Sequence, residues 1–260
     1  MTSSSAPDAA ERDLAPGKRR DVHCVMQGKG GVGKSFIASL LIQWHQANNL
    51  PVMAFDTDPV NRTLSSFPAL AATQIRLLNE DKINTDGVDE LIEAAVTGSG
   101  ASVIDNGSAS FLPMARYLVS NDIAAILEEH DRRLVLHTVV VGGQAALDTL
   151  RGMVALLGQF PPGVPVIVWV NEYNGRFDAD GLSFEETRAY QGNAGRIAGV
   201  VHLAPLDPLT HGRDVETMLA RQVVFADAIA SPEFKIVAKS RLSQVRRAVF
   251  EQLDAVMGAI

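Results

Sequence analysis

Glycine, lysine and a hydroxyl residue stand at fixed intervals in Gly28–Lys29–Gly30–Gly31–Val32–Gly33–Lys34–Ser35, which matches G-x-x-x-x-G-K-[ST]. Those four fixed positions would occur by chance in roughly one per cent of chains this long, so the match is informative. Glycines allow backbone N–H groups to turn inward around phosphate oxygens without side-chain clash. A helix beginning near Ser35 aims its positive end at the same oxygens. In such a cradle Lys34 contacts the β- and γ-phosphates of a nucleotide and the Ser35 hydroxyl is a magnesium ligand. The implied chemistry is MgATP binding by residues 28–36, with Val32 and Phe36 completing the loop and the first helical turn.

Magnesium and an attacking water also need carboxylates, and in open α/β sheets these belong at the carboxyl ends of strands. Asp105 follows the apolar run Ser102–Val103–Ile104, the position from which a carboxylate holds magnesium through water. Asp56 and Asp58 follow the run 51–55. With one residue between them in an extended segment they point the same way, so both could face the phosphates. Taken singly, each aspartate has the alternative reading of a helix cap or turn former.

The elements that must hold these residues read as alternating strands and helices. Apolar runs at 22–27, 51–55, 101–104, 134–141, 164–170 and 197–203 predict strands, with 75–78 as another candidate. Helical spacing marks 35–48, 86–96, 114–129, 144–157, 213–221 and the segment from Pro232 to the end. The strand runs lack polar alternation, as befits strands covered on both sides. The expectation is a doubly wound, mostly parallel α/β sheet with helices on both faces, a P-loop NTPase fold. The 260 residues suffice for one large domain, read as 21–260, after a polar leader at 1–20. No apolar run approaches the roughly 20 residues that span a bilayer, and the leader lacks the apolar segment of a secretory signal. Cys24 is the sole cysteine, which precludes an internal disulfide, agrees with a cytoplasmic setting and reads as a small buried residue. The six histidines are scattered with no i, i+4 pair, so they suggest no metal site. A net charge of −7 argues against a surface coated in positive charge for nucleic acid.

Against this background the motifs resemble those of the ParA/MinD ATPases. Residues 29–35 resemble the deviant Walker A motif of that family, which has an extra lysine after the first glycine. The resemblance gives Lys29 the role of reaching a partner subunit's phosphates across an ATP-dependent dimer, a role that spacing alone does not show. Phe55–Asp56–Thr57–Asp58–Pro59 resembles the switch I stretch, whose second aspartate positions water, which points to Asp58 and makes it, with Ser35 and Asp105, a candidate magnesium residue acting through water. Ile104–Asp105–Asn106–Gly107 resembles the Walker B and switch II stretch, but Asn106–Gly107–Ser108 departs from the small-residue and proline pattern of many partition ATPases. Asn171 matches the position that contacts adenine, and the loop carrying Pro205 matches the one that closes over the base. The likeness narrows to conjugal transfer proteins of conjugative plasmids over about residues 22–260. It implies a slow ATPase serving DNA transfer, with a component of the conjugation machinery as partner.

Two C-terminal features bear on partners. Lys235, Lys239 and Arg246 would share one stripe of a continuous helix, and the resemblance makes this a candidate non-specific DNA surface. The alternative is a solvated helix face. Val245, Val249, Leu253, Val256 and Ile260 follow helical spacing, yet Glu251 and Asp254 interrupt the face that a membrane helix would keep basic. Packing against the sheet is the better reading, without membrane insertion. Two rival functions remain on the same scaffold: an ATP-dependent small-molecule ligase, for which no acceptor cluster is visible, and an ATP-binding scaffold without hydrolysis. A nitrogenase-type reductase is excluded, because it needs two cluster-ligating cysteines per subunit.

Overall fold

Each apolar run that ends at a glycine or an aspartate forms a strand, and the strands end together. The computed structural model describes residues 20–58, 61–79, 82–173 and 175–260; the 1–20 leader, apart from Arg20, and Pro59 and Val60 of the acidic loop lie outside the described residues. In chain order the elements are β1 (Arg20–Val25), α1 (Lys34–Ala47), β2 (Val52–Asp56), β3 (Thr73–Gln74), β4 (Leu78–Asn79), β5 (Lys82–Ile83), α2 (Thr85–Thr97), β6 (Ala101–Asp105), α3 (Phe111–Ser120), α4 (Ile123–Glu129), β7 (Arg132–Val140), α5 (Ala146–Gln159), β8 (Val166–Asn171), α6 (Arg188–Gln191), β9 (Ile197–Leu203), α7 (His211–Ala220), α8 (Phe225–Ala230) and α9 (Ile236–Ala259).

Seven strands form a parallel sheet in the order β3-β2-β6-β1-β7-β8-β9, while β4 and β5 make a separate antiparallel pair. The sheet is covered on both faces. On one, Val22, Cys24 and Met26 pack with Val88 and Leu91 of α2, Met114 and Leu118 of α3 and Met153 of α5. On the other, Val25, Val135 and Trp169 pack with Ile37 and Leu41 of α1, Val215 of α7, Phe225 of α8 and Leu242, Val249 and Leu253 of α9. Burial of each such aliphatic side chain is worth about 1.5–3 kcal/mol. The register aligns Val25 with Asp105 and Asp105 with Asp56. The strand order reverses beside β1, where a crevice opens for ligands at the carboxyl ends.

Several expected elements shift. The 114–129 run is two helices, because Asp122 adopts a left-handed conformation with φ of 48°; its apolar spacing continues across the break and hides it. The 75–78 candidate is not one strand. Ile75 and Leu77 are buried beside α2, and the chain pairs only at β3 and β4 on either side. The last helix starts at Ile236 rather than Pro232, since Lys235 is extended, and the six-residue α8 precedes it.

The C-terminal helix packs on the sheet, as its apolar spacing suggests. Val256 meets Gly199 of β9 so closely that a Cβ at Gly199 would lie 2.6 Å from it. The Gln252 side chain accepts from His202 N at 2.8 Å and donates to His202 O at 3.0 Å. It thus supplies the edge strand with a substitute for a neighbouring strand, and edges left bare invite unwanted pairing.

Candidate functional site

At the end of β1 the chain turns sharply into α1, and two glycines make the turn. Gly31 and Gly33 have φ of 74° and 98°, values that side chains resist. α1 begins without a side-chain cap and without an acidic residue in its first turn, so its first N–H groups point into the loop with no internal partner. An anion at this end would be stabilised by those amides and the helix dipole. Gln27 anchors the loop from below. Its amide donates to Val139 O at 2.8 Å and Thr149 O at 3.1 Å, while its Oε1 accepts from Lys29 N at 3.4 Å.

Lys34 is buried, and its Nζ donates to Lys29 O at 3.3 Å. Burial pushes its pKa down, opposed by the charges of Asp105 and Asp58. Asp105 is also buried, and its Oδ2 has no hydrogen-bond partner. Burial lifts its carboxyl to about 7; the Ser35 hydroxyl and the Lys34 charge pull the other way, and the neighbouring charges of Asp56 and Asp58 add to the rise. A buried carboxylate oxygen without a partner, on a residue that bonds the Ser35 hydroxyl and feels the Lys34 charge, suits a divalent cation, and such an ion would reverse the local preference for the protonated acid. The residues present therefore fit a magnesium nucleotide. Ser35 and Asp105 are the groups that could hold the metal, and Lys34 with the loop amides could hold phosphate.

The two aspartates of the acidic loop divide their work, which corrects the expectation that both face the phosphates. Asp56 is fully enclosed and spends its oxygens on backbone, accepting from Asp58 N at 3.1 Å and Ser65 N at 2.9 Å. It shapes the loop. Asp58 is half-buried, accepts from Asn61 N at 2.9 Å and lies close enough to Lys34 and Asp105 to act on their charges. Thr57 ties the loop to β6, donating from both N and Oγ1 to Asp105 O at 3.1 and 3.0 Å.

The stretch after Asp105 supplies a further constraint. Asn106 and Ser110 close a buried turn through Ser110 Oγ, which donates to Asn106 Oδ1 at 3.0 Å. That turn presses Gly107 against Asp58, so that a Cβ at Gly107 would lie 3.2–3.4 Å from three Asp58 atoms. Phe111 follows, its ring 3.0 Å from where a Cβ on Gly28 would lie. The departure from the partition-ATPase pattern is thus a closed asparagine–serine turn that sets Asp58 in place.

A profile of the CobQ/CobB/MinD/ParA nucleotide-binding domain family (CbiA) matches residues 23–208. The chain belongs to this family. Two proteins named Protein TraL from Escherichia coli are similar over nearly their whole length: one is 42% identical over 234 residues and the other 39% over 233, each match covering 90% of this chain and 97% of the relative. The MinD cell division protein of Aquifex aeolicus superposes with a TM-score of 0.49 at 14% identity, over 89% of this chain and 97% of that one.

The remaining anticipated site residues lie at the same sheet edge. Asn171 donates from Nδ2 to Val32 O at 2.9 Å and accepts from Tyr173 N, which sets it beside the glycine loop. Pro205 is exposed just past the end of the adjacent β9. Gly28, Lys29 and Gly30 are exposed, and Phe36 is half-buried against the core. The basic residues on α9 stand elsewhere. Lys235 is extended at the N-cap position with no side-chain capping bond, so it stands outside the helix stripe expected of it; Lys239 and Arg246 are half-buried, and Arg241 pairs with Asp214 at 2.8 Å.

Asp148 is the residue the sequence reading missed. Its Oδ2 accepts from Lys29 Nζ at 3.0 Å, with both side chains about half exposed. It stands on α5, 119 residues further along the chain. Cys24 is buried, and burial with the Asp105 charge pushes its thiol up to about 12, which makes it unreactive. No helix among the described residues is long and apolar enough to cross a membrane.

Proposed function

We propose that the chain is a MgATP-dependent switch of the ParA/MinD type, in which two copies associate on binding ATP and separate after hydrolysis. The observation that carries this reading is the convergence of Lys34, Asp58 and Asp105 at one strand edge, where a buried ammonium feels the charge of a carboxylate with one oxygen lacking a partner. Lys34 and the loop amides bind the phosphates, and Lys34 offsets charge that develops between them. Ser35 and Asp105 would hold magnesium, Asp105 through water, and magnesium when bound would supply further charge stabilisation. Asp58 orients the attacking water. Asn171 and Pro205 flank the base. Lys29 leaves Asp148 to reach the phosphates of the second copy.

Similarity to the TraL proteins supports a role in conjugative plasmid transfer, in the cytoplasm, with slow turnover until a component of that machinery stimulates it. Lys235, Lys239 and Arg246 offer a weak footprint for DNA backbone.

The test is solution mass by light scattering. A monomer in ADP and a dimer in MgATP are expected, with Lys29→Ala remaining a monomer in MgATP. A mass that does not change with nucleotide would remove the switch and the role of Lys29 across the dimer.

A further inference from the structure

Beside the cradle, α3 and α5 carry the same surface pattern. At positions i, i+4 and i+7, α3 presents Leu112, Arg116 and Val119, and α5 presents Leu147, Arg151 and Val154. Those intervals return to one helix face. All six side chains are exposed. Leu112 and Leu147 are 48% and 57% accessible, and Val119 and Val154 are 41% and 39% accessible. The helices are neighbours on one face of the sheet, packing Met114 and Leu118 in a common core with Leu150 and Met153. Both begin at the cradle, since Phe111 lies against Gly28 and Asp148 bonds Lys29. The two stripes therefore run away from the nucleotide site side by side.

Apolar residues exposed singly are ordinary, but four on adjacent helices form a patch of the kind that marks an interaction site. The charges set the sign of the partner. Among the described residues, the side chains of Arg116 and Arg151 have no ion pair or hydrogen bond, a state shared with Arg62, Arg76, Arg188, Arg213 and Arg246, but these two stand within the exposed leucine and valine stripes. Two unengaged guanidiniums set among leucines and valines, in a chain of net charge −7, are complementary to carboxylates on an apolar ground.

We propose that the α3–α5 face docks a partner protein through an amphipathic helix bearing leucine-type anchors and carboxylates at matching intervals. The leucines and valines receive the anchors, in the manner of helix-in-groove recognition. Arg116 and Arg151 fix register and select acidic over basic helices, each able to grip a carboxylate with two N–H groups. A helix seated there lies next to the elements that touch Gly28 and Lys29.

The experiment uses the full chain and two synthetic 18-residue helices with leucine at the anchor positions, one carrying glutamates on its flanks and the other lysines. Fluorescence anisotropy is expected to show the glutamate helix binding at least tenfold tighter than the lysine helix. Arg116→Glu with Arg151→Glu should invert that preference, and Leu112→Ser with Leu147→Ser should weaken the glutamate helix at least tenfold. Inversion cannot arise from misfolding. Failure to bind the glutamate helix, or binding indifferent to the arginine reversal, would overturn the proposal. So would light scattering in which the serine variant abolishes self-association of the parent chain, because a second copy would then be the occupant. None of these residues belongs to the nucleotide cradle, so the outcome is separable from that of the switch.

Discussion

Asp105 Oδ2 and His45 Nδ1 are both buried polar atoms without a hydrogen-bond partner, yet their surroundings are opposite. Asp105 ends a strand among Lys34, Ser35 and Asp58, at the sheet edge where the glycine loop and the acidic loop meet. His45 ends a chain of hydrogen bonds under the same sheet. Trp169 Nε1 can only donate, and it lies 3.0 Å from His137 Nδ1. His137 must then carry its proton on Nε2 and donate to His23 Nδ1 at 3.0 Å. His23 in turn donates from Nε2 to His45 Nε2 at 3.3 Å. The last proton falls on His45 Nδ1, where the chain stops against Trp44. One orphan lies where the glycine loop and the acidic loop meet, whereas the other is the open end of a polar chain closed in the core. An unsatisfied buried group costs about 1–3 kcal/mol, and only the first of these costs can be recovered on binding.

The largest effect expected from this contrast is at Asp105. Asp105→Asn keeps the shape and removes the charge, so MgATP turnover should fall at least about 100-fold, on the order of 3 kcal/mol of barrier. The nucleotide-free protein should unfold at the same or a higher denaturant concentration, since a buried acid without a full partner has been neutralised. Turnover and urea unfolding of the same preparation check both halves. A variant that is markedly less stable would show that the carboxylate supports the fold rather than the ligand.

The histidine chain should show the reverse, a large effect on stability and none on turnover. His23 and His45 are lowered to about 3 and His137 well below its ordinary value, in each case mainly by burial. The charges of His23 and His45 lower His137 further, that of Arg133 lowers His23, and Asp21 tempers the effect at His45. The native state thus keeps these rings neutral, while in the unfolded chain they bind protons near pH 6.5. Because the unfolded state takes up more protons between about pH 6.5 and 3, stability is fully present above that window and is lost as pH falls through it. Each histidine should contribute about 2 kcal/mol of loss between pH 7.5 and 5. Urea midpoints across that range measure it. Trp169→Phe, which frees His137 Nδ1 to accept a proton, should flatten the dependence.

How much of this contrast could be read from the sequence follows from how each cluster is made. The cradle is contiguous and built largely of backbone, so Gly28 to Ser35 declare it, and Asp56 and Asp105 are visible because each terminates an apolar run. The histidine chain draws on β1, α1, β7 and β8. In sequence it is three histidines and a tryptophan with nothing to link them, and only the folded sheet and the helix on it bring them together. Asp148 escaped for a like reason, since an acid on a helix surface is ordinary until the fold sets it opposite Lys29. The division of labour between Asp56 and Asp58 was invisible because it depends on which carboxylate the backbone amides of Asp58 and Ser65 engage.

A smaller effect is expected at Gly107, which probes how closely Asp58 must be held. A methyl group there would sit within 3.4 Å of Asp58 and displace it by a few tenths of an ångström. Misplacement of a positioning group lowers rate without lowering affinity. Gly107→Ala is therefore expected to reduce turnover about tenfold, or roughly 1.4 kcal/mol, while ATP affinity stays within a factor of two or so. A matching loss of affinity would show that Gly107 shapes the phosphate cradle itself.

The smallest effect concerns the Lys29–Asp148 pair. Both side chains are about half exposed, and exposed ion pairs are worth about 0–1 kcal/mol. If Lys29 of each copy must leave its Asp148 to engage the other, Asp148→Ala removes that small cost from both and favours association by at most about fivefold per copy. The predicted signature is a modest drop in the protein concentration at which MgATP produces dimer, fading as salt screens the pair. A rise in that concentration would mean instead that Asp148 holds Lys29 in its working direction, so that the contact prepares the lysine for its task rather than restraining it.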